Sequence, residues 1–76
     1  MGRGELHIIA AFESTTLALK FEREAGELRI EGRLIPVPRE IRAGCGLCFA
    51  APIKEKEKML SKAKGEEGIS LYELSI

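Results

Sequence analysis

The chain has 76 residues, 45% apolar and 32% charged, and its twelve basic residues balance its twelve acidic ones. One domain fits that length and two do not, and such a domain buries only about 60–65% of its unfolded surface, so its core is small. Zero net charge argues against nucleic acid as the main partner, since gripping phosphates takes a basic excess; no Trp, one Tyr and three Phe leave few surfaces for base stacking.

The first apolar run, Leu6 to Phe12, is too short for a secretory signal core and is interrupted by His7. Nothing approaches the ~20 apolar residues of a membrane span, so the expected location is cytoplasmic, with thiols kept reduced and no membrane partner. Glu5–Phe12 has strand composition, with Leu6, Ile8, Ala10 and Phe12 on one face. The period then changes. Leu17, Phe21 and Ala25 stand four apart with Ala18 beside them, a helical stripe that Ser14 would cap and Gly26 would stop. From Leu28 to Val37 apolar and polar residues alternate, which predicts a half-buried strand with Leu28, Ile30 and Leu34 facing one way. After a loop, Leu47–Pro52 reads as a short strand. A second helix is expected to begin near Pro52, with Ile53, Leu60 and Ala63 inward and Gly65 ending it. Its run of lysines reads as the solvated side, able to help dock an acidic partner. Ile69–Ile76 is the last strand. His7 is expected on the sheet surface.

The resulting order, β-α-β-β-α-β, predicts an α+β fold: a ferredoxin-like sandwich with a four-stranded antiparallel sheet and both helices on one face. Right-handed crossovers put strands 1 and 3 in the middle. The other face of the sheet would show Ile9, Ala11, Ile35, Val37, Ala50 and Tyr72. That is an apolar patch a homodimer could cover, and a dimeric interaction or regulatory module is the corresponding functional reading.

The segment Ile35–Cys48 holds two of the three prolines, two glycines and both cysteines. Pro36 and Pro38 fix φ and end the ladder of their strand, whereas Gly44 and Gly46 free the backbone around Cys45. The topology brings the start of the first helix to the same edge of the sheet as this turn. Backbone N–H groups at Gly44 and Gly46, the guanidinium groups of Arg39 and Arg42, and the hydroxyls of Ser14, Thr15 and Thr16 would then favour a Cys45 thiolate, or an anion bound to it. An incidental cysteine in a hairpin turn stays open as the plainer reading. So does a redox pair, with Cys48 resolving Cys45, although on extended chain the two Cα atoms stand about 10 Å apart and a disulfide needs less than ~7 Å. Two thiols are half of a zinc set, so no metal is expected.

Phe12, Ser14, Thr15, Ala18 and Leu19, followed by Ile35, Pro36, Pro38, Arg39, Ile41, Cys45 and Gly46, make up a pattern that resembles the Se/S carrier protein-like family of short prokaryotic proteins. The resemblance runs over nearly the whole chain, and its specific part is the Pro-x-Pro-Arg to Cys-Gly segment. It implies a carrier without independent turnover. Cys45 would take sulfur or selenium from a donor such as a cysteine desulfurase, hold it as a persulfide or selenosulfide, and pass it to an acceptor enzyme. It implies no cofactor beyond the carried atom. Cys48 and the stretch Gly26–Gly32 lie outside the pattern.

Overall fold

The computed structural model describes residues 4–41 and 44–76. Strand β1 (Leu6–Phe12) leads into helix α1 (Thr15–Glu27), followed by strands β2 (Arg33–Pro36) and β3 (Leu47–Pro52). A 3-10 turn (Ile53–Glu55) then runs into helix α2 (Lys56–Ala63), and strand β4 (Ile69–Ser75) ends the chain. The four strands form one antiparallel sheet in the order β2-β3-β1-β4, which is the ferredoxin-like arrangement the element order predicts. Among the described residues no helix is long and apolar enough to cross a membrane.

Alternation along the central strands divides the apolar residues into two clusters, one on each side of the sheet. On the helix side, Ile8, Ala10 and Phe12 of β1 and Phe49 and Ala51 of β3 meet Ala18, Phe21 and Ala25 of α1 and Met59 of α2. Phe21 lies between Phe12 and Phe49, with both centroid distances 5.3 Å and both interplanar angles 58°, the tilted packing aromatic rings prefer. Burying each of these rings contributes roughly 1.5–3 kcal/mol, a large share for so short a chain.

Four sequence expectations are corrected: the end of the first helix, the start of β2, the inward residue of the second helix and the openness of the far sheet face. Helix α1 does not stop at Gly26 but passes through it to Glu27, and β2 begins only at Arg33. The helix closes with a Schellman arrangement: Ile30 N–H donates to the Ala25 carbonyl at 2.9 Å and Arg29 N–H to the Gly26 carbonyl at 3.1 Å. The left-handed position belongs to Arg29 (φ 61°), so the residue expected to alternate along a strand is a helix terminator. Ile30 then drops into the helix-side cluster, which mimics the inward face of a strand.

In α2 the inward residue is Met59, fully buried, while Leu60 is 46% exposed. The 3-10 turn advances about 120° per residue where an α-helix advances 100°, so the stripe read from Ile53 slips out of phase.

The second cluster changes the picture of the open face. Ile9, Ala11, Cys48 and Ala50 are buried there within a single chain. They are covered by Val37 and Ile41 of the β2–β3 connection, with Leu74 and Ile76 beside them. Of the expected patch only Tyr72 stands clearly exposed, at 39%.

Candidate functional site

Pro36 pairs with Leu47 in the last rung between β2 and β3, and Val37 N–H donates to the Gly46 carbonyl at 3.0 Å just beyond it. The chain then turns, with Ile41 N–H donating to the Pro38 carbonyl at 3.0 Å and Arg39 and Glu40 at the corners. This makes a strap. Its base is the two-proline segment, and its anchor is Ile41, buried in the second cluster. Arg39 is exposed on the turn, and Arg42 lies outside the described residues.

The return of the strap is Gly44-Cys45-Gly46. A side chain at Gly44 would place its Cβ 2.9 Å from the Glu13 carbonyl oxygen, so only glycine lets the turn lie this close to the end of β1. Cys45 N–H donates to the Phe12 carbonyl at 3.4 Å. Gly46 takes φ +78°, where a side chain is disfavoured, and redirects the chain into β3. The predicted meeting of the cysteine turn with the start of the first helix is therefore present, made by backbone at Phe12 and Glu13. One residue on, Ser14 caps α1, its Oγ accepting from Leu17 N–H at 3.2 Å. Thr15 and Thr16 are exposed in the first turn.

The Cys45 side chain is half-buried, packed against the helix-side cluster. Its Sγ accepts from Leu47 N–H at 3.4 Å and, as a thiol, donates to the Leu47 carbonyl at 3.4 Å. A thiolate keeps the first contact and loses the second. Ser14, Thr15 and Thr16 are not among the hydrogen-bond partners of the sulfur in the described residues. The expected donors at Gly44, Gly46 and the helix start are thus replaced by one peptide group, that of Leu47. Sequence reasoning missed it because a backbone amide leaves no trace in residue identity.

Cys48 is different in kind. It is 0% exposed, pairs in register with Ala11 and Ile35, and belongs to the cluster under the strap. Burial pushes its thiol pKa up to about 11, with the charge of a Cys45 thiolate adding to the shift. The two sulfurs therefore pack on opposite faces of the sheet, and joining them would require one to cross it. Among the described residues no group of three or more His, Cys, Asp or Glu side chains gathers to hold a metal ion.

The fold and this turn define a small ferredoxin-like protein with a half-buried thiol at the rim of its sheet. The chain belongs to the family described as "putative Se/S carrier protein-like", whose model matches residues 7–73 and so spans both the Ser14 cap and the Cys45 turn. No curated protein and no solved structure matches it.

Proposed function

We propose that the protein is a carrier that receives a sulfur or selenium atom on Cys45 and passes it to an acceptor enzyme. The observation that supports this most directly is the setting of Cys45. Its sulfur is half-buried at a sheet rim, held by Leu47 N–H, on a turn fixed to Phe12 on one side and to the strap on the other.

Loading balances without an added oxidant. The Cys45 thiolate attacks the outer atom of a donor persulfide R–S–SH or selenosulfide R–S–Se⁻. A new S–S or S–Se bond forms, the donor S–S or S–Se bond breaks, and the donor leaves as the thiolate R–S⁻. Leu47 N–H donates to the attacking sulfur, and an exposed Arg39 is the nearest described guanidinium along the chain for the anion that forms. Delivery is the same exchange in reverse, with an acceptor thiolate as the attacking group. A cysteine desulfurase fits the donor role, and the carrier needs no resident cofactor.

The interaction-module reading needs an uncovered apolar face, and the strap already covers most of it, so the thiol favours the carrier reading. The test is intact mass after incubation with a desulfurase and cysteine, or with a selenosulfide donor. Wild type and Cys48→Ala are expected to gain one atom, lost again on reduction. Equal loading of Cys45→Ala would refute the proposal.

A further inference from the structure

The strap does not reach the whole of the sheet face it crosses. Toward the opposite end, near the start of β1, the same face holds a groove of about 350 Å³. Strand register explains the hollow. Directly opposed residues share a face, so Arg33 of β2, Ala50 of β3 and Ile9 of β1 stand in one row, and His7 opposes Pro52 in the next. An alanine between two larger neighbours leaves the floor low, and Ile35 and Ile76 complete it.

The walls are polar and specific in charge. His7 Nδ1–H donates to the Glu5 carbonyl at 2.9 Å, which pins the ring as a fixed side. Glu31 lines the rim, but Lys54 Nζ lies 3.0 Å from its Oε1 and compensates its charge. Arg33 makes no ion pair among the described residues. The groove therefore offers an apolar floor and one guanidinium without a carboxylate partner, the combination that recognises an apolar body ending in a carboxylate. Five residues of extended strand, about 17 Å, separate His7 from Phe12, where the cysteine turn docks, so the two sites are independent.

We propose that this groove binds a small aliphatic monocarboxylate, its chain over Ala50 and Ile35 and its carboxylate on Arg33. The test is a titration of the ¹⁵N-labelled full chain with hexanoate, followed by amide shifts, with hexanol and acetate as probes that each lack one half. The expected result is saturable, millimolar binding of hexanoate that moves Gly32, Arg33, Ala50 and Ile76. Hexanol, acetate and the Arg33→Gln variant should each bind at least about tenfold more weakly, the effect of losing one charge-assisted contact or the apolar anchor. Arg33 is exposed, so the rest of the Arg33→Gln spectrum should superimpose on that of wild type. No saturable shift in the groove, equal binding by hexanol or acetate, or unchanged affinity in Arg33→Gln would each overturn the assignment. Loading of Cys45 should be the same in Arg33→Gln, so failure here leaves the carrier proposal standing.

Discussion

The placement of the two thiols on opposite faces predicts a wide gap in their reactivity. At pH 8 a free cysteine in water is roughly a quarter thiolate, whereas Cys48, pushed up to about 11, is ionised in only about one molecule per thousand. Ionisation alone thus slows Cys48 by about 200-fold relative to a free thiol. Its zero exposure adds the requirement that the strap open first. Alkylation with iodoacetamide, followed by intact mass and peptide mapping, should show a fast phase on the half-buried Cys45 and a well-separated slow phase on Cys48. Cys45→Ala should lose the first phase and Cys48→Ala the second. Ile41→Ala removes the buried anchor of the strap at a cost of about 2–5 kcal/mol, and it should speed the slow phase while leaving the fast one alone. A single phase shared by both thiols, or Cys48 reacting first, would refute the two-faced arrangement.

The raised Cys48 pKa also makes stability fall at high pH. Well below about 8.5 both folded and unfolded states keep the thiol protonated; as pH rises through that value the unfolded chain ionises first, so up to roughly 3 kcal/mol is lost by pH 11, and Cys48→Ala should remove that part of the slope in urea titrations. Gly32→Ala would set a Cβ 2.6 Å from Phe49 Cε2 and 2.7 Å from the Ala50 carbonyl oxygen, at φ +158°. Overpacking of this kind costs about 1–3 kcal/mol, so thermal melting should show Tm lower by ~10 °C; an unchanged Tm would show that the turn before β2 yields. The Lys62 ammonium, 2.5 Å from Glu24 Oε1 and 4.7 Å from the centre of the Phe21 ring, lowers the Glu24 pKa by hydrogen bonding. The pair therefore stabilises the fold above the usual carboxylate range and loses that effect as pH falls through the lowered value. Glu24→Gln should be less stable than wild type at pH 7 and equal to it in acid.

The fold was legible because its signals are periodic: residues two apart in β1 and β3 and four apart in α1 do face the helix-side core together. Where the reading failed, the signal was real but belonged to another structure. Ile30 is buried as a strand residue would be, yet it sits just past a helix end whose left-handed position is taken by Arg29 rather than by the glycine expected there. The Met59-for-Leu60 exchange follows from a 3-10 turn that hydrophobic spacing cannot announce. The turn that carries Cys45 was legible through its glycines, and Gly44 proves necessary for the reason a glycine suggests, close approach of two backbones. The donors were not. Ser14 spends its oxygen on Leu17, and the sulfur turns to Leu47, which lies two residues along and was read only as the start of a strand.

Burial of Cys48 also bears on how long a loaded Cys45 would last. A second thiolate within reach could attack the inner sulfur of the Cys45 persulfide, forming a Cys45–Cys48 disulfide and expelling HS⁻, so that the cargo is lost without an acceptor. The structure obstructs that reaction twice. Cys48 is mostly protonated at neutral pH, and its sulfur lies among Ile9, Ala11 and Ile41, across the sheet from the cluster on which Cys45 packs. Protein loaded on Cys45 and freed of small thiols should therefore lose its sulfur no faster in wild type than in Cys48→Ala, as followed by intact mass over hours. Ile41→Ala should uncover Cys48 to solvent yet still yield no Cys45–Cys48 disulfide, because opening the strap leaves Cys48 paired in the sheet on the face opposite Cys45. Faster loss in wild type than in Cys48→Ala, with the strap intact, would mean that Cys48 reaches its neighbour and acts as a resolving thiol after all.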